Sequence, residues 1–210
     1  MPKSAATFRT LLTAVAVAVV LAPSVRASDV AMPERAGHPR SRFPLAVYVA
    51  PIPQASLDAA VRRAIADWNV LFRETFGVDA FSSTAEREGA AVAITSPRAS
   101  PRKLMGETEI EVDHDGAIRV PVRISLSPPK RRSETPADVL FYEVAAHELG
   151  HALGLPHSTD PKSIMCCVKG SVNFADAATR DAYVQARRHP TVRSAARELA
   201  AHYEKFWKRA

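Results

Sequence analysis

The sequence predicts an α+β domain, and three patterns carry that prediction. Apolar residues recur at helical spacing from Leu57 to Phe76. Apolar and polar residues alternate on both sides of His114-Asp115-Gly116, and a capped segment opens at Thr135 ahead of a histidine-rich stretch. With 47% hydrophobic residues in 210, the chain has apolar material for one sizeable core, so one main domain is expected.

The first residues read as an export signal. Lys3 and Arg9 precede the apolar run Leu11 to Ala22, and Val25-Arg26-Ala27 offers a small-residue cleavage site, so the signal is placed at 1–27. The run is too short to span a bilayer comfortably, which argues against a membrane anchor. Ser28 stands where a lipid-anchored form needs a cysteine. A secreted or periplasmic protein with no stable membrane insertion after cleavage is expected. The signal holds three basic and no acidic residues, so its removal lowers the net charge from +6 to +3, too mild to argue nucleic-acid binding.

Residues 28–43 are polar, carry Pro33, Gly37 and Pro39, and show no apolar period, so they read as a flexible leader or short propeptide. Leu45 to Ala50, closed by Pro51 and Pro53, suits a buried strand. Ser56 is the expected cap of a helix whose apolar face is Leu57, Val61, Ile65, Trp68, Leu71, Phe72 and Phe76, with Gly77 as its stop. Trp68 is assigned to the core. Val78 to Ser82 and Ala90 to Thr95 are strand candidates, the second leading into a loop with Pro97 and Pro101.

Glu107, Glu109, Glu111 and Asp113 then alternate with Thr108, Ile110 and Val112, and Ile118, Val120, Val122, Ile124 and Leu126 alternate beyond the turn. A three-residue loop with Gly116 left-handed sets Glu111 opposite Arg119 and Glu107 opposite Arg123. Pro121 lacks the donor a central strand needs, so a bulge or unpaired position is expected there. The polar loop Pro128 to Glu134 ends the sheet. Thr135, Pro136 and Asp138 then fall at the cap, first and third positions of a new helix.

That helix carries His147-Glu148-Leu149-Gly150-His151. Two imidazoles four residues apart lie one turn apart on one helix face and can grip one zinc ion. Gly154 can take a positive φ, end the helix and turn His157 back as a third ligand. Three protein ligands leave a fourth position open for water, the mark of a catalytic zinc. Glu148, beside the metal, is the candidate general base and acid.

From His147 to His157 the chain resembles the metzincin peptidases. Ser158, and Met165 at the end of Thr159-Asp160-Pro161-Lys162-Ser163-Ile164-Met165, are similar to the matrixin branch. The resemblance implies a twisted mixed sheet of about five strands with a long backing helix, an active-site helix and C-terminal helices. It also implies one catalytic Zn2+, a protein or peptide substrate, and Met165 as a Met-turn beneath the histidines. It assigns Leu104 to Val112 to the sheet edge that pairs with an extended substrate. The catalytic domain is expected at 44–172. The alternative function is a non-catalytic zinc-containing module that binds a peptide or partner.

Departures narrow the expectation. The structural zinc and calcium region of animal matrixins is not found. Glu111 to Gly116 imitates the start of a calcium loop, but position twelve is Val122 where a glutamate is needed, so calcium is unsupported. The leader has no cysteine to latch the metal. Cys166 and Cys167, the only cysteines, leave a vicinal disulfide, two free thiols or an intermolecular bridge open.

In 173–210, Asn173 is the expected cap of a helix to about Arg188. His189-Pro190 breaks it before a last amphipathic helix with Val192, Leu199, Tyr203 and Phe206, packed on or appended to the domain. Arg187, Arg188, Arg193, Lys205, Lys208 and Arg209 read as a solvated face in preference to a partner or membrane surface. His114, His189 and His202 are given no role.

Overall fold

The computed structural model describes residues 36–97, 104–129 and 134–208; the signal with its cleavage site, residues 28–35, Pro101 and Arg209 lie outside them. In the described residues the order is a 3-10 turn at Arg40–Arg42, β1 (Leu45–Val49), α1 (Ala55–Phe76), β2 (Phe81–Thr84), β3 (Val92–Thr95), β4 (Gly106–Glu109), β5 (Val122–Leu126) and α2 (Ala137–Ala152). They are followed by α3 (Ala177–Arg188), a 3-10 turn at Val192–Ala195 and α4 (Ala196–Trp207). The fold is α+β, with one mixed five-stranded sheet ordered β2-β1-β3-β5-β4. The first four of these strands pair in parallel, and β4 closes the edge antiparallel to β5.

Helix α1 buries Leu57, Val61, Ile65, Trp68, Leu71 and Phe72 and ends at Gly77, whose φ of 78° needs no Cβ-bearing residue to be forced left-handed. Its cap position is Gln54 and not Ser56, with no side-chain cap bond. Helix α2 is buried all round from Phe141 to Ala152, as a helix between other layers must be. It packs on α1, where Trp68 Nε1 donates to Ala146 O at 2.9 Å, and on β4 and β5. Its cap position is Pro136, one residue after Thr135. The two early strands begin later than expected, at Phe81 and Val92, because strand pairing with β1 and not local alternation decides their start.

The hairpin keeps its expected turn and loses its expected register. Gly116 has φ 86°, Val112 bridges Ile118, and Arg119 N donates to Glu111 O at 2.8 Å. Past Pro121 the pairing is Glu109↔Arg123 and Glu107↔Ser125, so Glu107 does not face Arg123. Two extra residues sit on the Pro121 arm between the bridge and the ladder, where proline has no N–H to offer. A slip of two preserves the faces, and Arg123 Nη1 lies 4.0 Å from Glu109 Oε2.

Residues 36–43, expected to be loose, are packed. Gly37 N donates to Gly116 O, and Ile118 N to Gly37 O, at 3.0 and 2.8 Å. His38 is fully buried, with its Nε2 2.9 Å from Ala152 O. Phe43 joins an aromatic cluster with Phe72, Phe76, Tyr203 and Trp207, and Trp207 Nε1 donates to His38 O at 2.9 Å. Polar composition concealed this because the segment buries backbone hydrogen bonds and one ring, not an apolar stripe.

The 3-10 turn at Val192–Ala195 and α4 pack on the same core through Val192, Ala195, Leu199 and Tyr203. Helix α3 is capped by Asp176, whose carboxylate accepts from Thr179 N at 2.6 Å, and not by Asn173, which forms a local turn onto Ala175 N. Arg187 is not solvated: its Nε lies 2.7 Å from Glu143 Oε1 on α2, and it stacks on Tyr183. Arg193 and Lys208 do face solvent, paired with Glu74 and Glu204. His202 is half-buried beside Ala36 and Gly154. Among the described residues, no helix is long and apolar enough to cross a membrane.

Candidate metal centre

The last turns of α2 bring His147 and His151 onto one face, one turn apart, as the four-residue spacing requires. Helix α2 ends at Ala152, and Gly154, with φ 91°, reverses the chain. A Cβ at Gly154 would run into Ala36 O, so both the positive φ and the packed leader demand glycine there. After this turn His157 meets the other two: its Nε2 lies 3.2 Å from His147 Nε2 and 3.2 Å from His151 Nε2.

The ring orientations follow from the backbone. His147 Nδ1 lies 2.8 Å from Ile164 O and His151 Nδ1 2.8 Å from Leu155 O. A carbonyl only accepts, so each Nδ1 carries the proton and each Nε2 of the neutral ring presents a lone pair. Both rings are neutral. Burial lowers His147 well below the usual histidine range, with His151 adding to the effect, and burial takes His151 to about 4. Lone pairs that converge in this way repel unless a cation lies between them. At zinc–nitrogen bonds of about 2.0–2.1 Å, the edge of a tetrahedron is about 3.3 Å, close to the 3.2 Å spacing found. The three histidines could therefore hold a metal ion.

The Glu148 carboxylate packs against β4. Thr108 Oγ1 donates to its Oε2 at 2.6 Å, and its Oε1 has no hydrogen-bond partner. Burial pushes the carboxyl up to about 7; the Thr108 hydrogen bond pulls against this, and Glu107 adds to it. Neither Thr108 nor Gly106, which makes room for the carboxylate, stood out in the sequence, where Thr108 read as one of an apolar row.

Met165 is fully buried under the turn of α2 between His147 and His151: a Cβ at Gly150 would collide with its Sδ and stand 3.3 Å from Trp68 Cζ2. Its loop is tied down on several sides. Ser158 N donates to Met165 O at 2.8 Å, and Ile164 N to Ser194 Oγ at 2.8 Å. Glu198 of α4 accepts from Ser158 Oγ at 2.5 Å and from Ser163 Oγ at 2.7 Å. Arg187 reaches the carbonyls of Ser163 and Cys166 at 3.5 and 3.3 Å. Cys166 and Cys167 are bonded to each other, so the sulfurs are committed to a vicinal disulfide and not to the metal. The Asp113-His114-Asp115 group is exposed and closes as a turn, with Asp113 Oδ1 accepting from the N–H groups of Asp115 and Ala117.

The family model described as Matrixin matches residues 42–178, which include the sheet, α1, α2, all three histidines and Met165. No curated protein matches the chain significantly.

Proposed function

The chain belongs to the matrixin family, a family of metallopeptidase-type domains, and from that premise we propose that it is a zinc-dependent endopeptidase. His147, His151 and His157 hold one Zn2+, and Glu148 is the general base and acid. The observation that carries this reading is the convergence of three histidine Nε2 atoms, His157 lying 3.2 Å from each of the other two, with the buried carboxylate of Glu148 on the residue after His147. Zinc at such a site supplies Lewis acidity toward the scissile carbonyl and favours loss of a proton from water at the open position.

The remaining steps belong to the chain's own residues. Glu148 accepts the proton of the attacking water and delivers it to the leaving amine. The carbonyls of Ile164 and Leu155 keep both α2 imidazoles in the ligating tautomer. Met165 floors the site. An extended peptide adds to the free edge of β4, whose other side is taken by β5, and main-chain pairing there supplies affinity. The segment 1–27 acts as the export signal, 44–172 as the catalytic domain and 173–210 as its supporting helices, and the working location is secreted or periplasmic.

A peptide-library digest of the mature chain, with and without chelator, tests the reading. One zinc per chain, chelator-sensitive cleavage, and a loss of about a thousandfold or more in Glu148→Gln are expected. A fully active Glu148→Gln with zinc bound removes the assigned base. Peptide binding without cleavage leaves the binding-module alternative instead.

A further inference from the structure

Both oxygens of Glu148 stand against β4, and the residues that receive them share one face of that strand. Gly106 and Thr108 are two apart, so they point the same way, and both are buried. Thr108 Oγ1 lies 2.6 Å from Oε2 and 3.2 Å from the Glu148 carbonyl oxygen, so one hydroxyl spans the carboxylate and the backbone of the same residue. At Gly106 the missing side chain is what matters. A Cβ there would stand 2.5 Å from Oε1, 2.8 Å from Glu148 Cγ and 2.5 Å from Val144 Cγ1, and the last of these is no flexible chain end that could swing aside. The carboxylate fits only because β4 is bare at this point.

The seat is asymmetric. A threonine hydroxyl has a single proton to donate, and it goes toward Oε2. Oε1 is buried with no hydrogen-bond partner among the described residues.

We propose that Gly106 and Thr108 form a built seat for the general base, in which Thr108 is a positioning residue that holds Oε2 and leaves Oε1 as the oxygen that takes and returns the proton. This rests on Glu148 being the base. Without the Thr108 hydroxyl the carboxylate rotates about its last torsion, and only a fraction of its orientations aim Oε1 correctly. Peptide pairing along the backbone of β4 is untouched, so the loss falls on kcat and not on KM. The seat also places base orientation and substrate docking on the same four-residue strand.

Thr108→Val keeps the shape and removes the hydroxyl, while Thr108→Ser keeps the hydroxyl. In the zinc-loaded chain, Thr108→Val is expected to lower kcat about tenfold to a hundredfold, the range for a lost hydrogen bond to a charged group. KM and zinc content stay within about twofold. Thr108→Ser recovers most of the rate, and Thr108→Ala, a smaller side chain without the hydroxyl, shows the Val loss. A second readout needs no turnover: affinity for a peptide hydroxamate, a zinc chelator whose proton-bearing group meets the base. Thr108→Val weakens that binding in the native background and leaves it unchanged in the Glu148→Ala background.

Native kcat in Thr108→Val, failure of Ser to rescue, or equal hydroxamate loss in both backgrounds each overturns the seat. A native chain that binds zinc and hydroxamate but cleaves no peptide counts against the peptidase reading, while the hydroxamate cycle still reports on Thr108.

Discussion

Replacing Glu198 by alanine tests how far α4 supports the metal loop. In the native chain its two carboxylate oxygens accept from Ser158 and Ser163, which bracket the segment between His157 and Met165. A hydrogen bond to a charged group contributes about 1.5–3 kcal/mol when well shielded, and both of these are partly exposed to water, so the pair is taken at about 3 kcal/mol. For a protein of this size that corresponds to a fall in Tm of about 6–12 °C. The same loop orients His147 through Ile164 O, so zinc affinity should drop about tenfold to a hundredfold, as it does when groups behind metal ligands are removed. Differential scanning calorimetry with zinc bound, and competition against a fluorescent chelator, measure the two effects. Glu198→Gln, which keeps one good acceptor, should lie about halfway. Native Tm and native zinc affinity in Glu198→Ala would refute the claim that α4 holds the loop.

Three further outcomes are expected. Gly150→Ala adds helix propensity of about 1 kcal/mol but drives a methyl into Met165 Sδ, at an overpacking cost of about 1–3 kcal/mol; urea titration should show a net loss where an exposed helix glycine would show a gain. Tyr203→Phe leaves Leu153 O at the end of α2 without its 2.8 Å partner and should lower stability by about 1–2 kcal/mol in the same assay. Glu143, pushed up to about 7 by burial against the pull of Arg187, binds its proton more tightly folded than unfolded. Its contribution is therefore greatest below the usual carboxyl range and is lost as pH rises toward about 7. Glu143→Gln should flatten that decline in chelated protein unfolded at pH 5 and pH 8, and an unchanged slope contradicts the assignment.

What local pattern encodes was readable from the residues alone. The face of α1, the stop at Gly77, the histidine spacing and the reversal at Gly154 all depend on neighbours within about ten positions. What escaped depends on distant partners. Helix α2 has Pro136 at its cap position with no side-chain cap bond, so the expected Thr135 cap does not set its start. The two-residue slip past Pro121 shows only in the pairing of β5, which lies between β3 and β4. Thr108 looked like one of an alternating row, and only the approach of α2 makes it a partner of Glu148. His38, Arg187 and Glu198 are polar residues in polar stretches, and hydropathy gives no sign that the first two are bonded to α2 and the third to the loop that follows it.

The clamp from α4 also orders events in time. Chains fold as they are made, N-terminal parts first. His157 is synthesised well before Glu198, which follows Ser158 by 40 positions. Until α4 emerges, the loop bearing the third histidine lacks its Glu198 anchor and is held only by its other contacts. Helix α4 thus acts as a late assembly step, delaying a finished loop until Glu198 has been made.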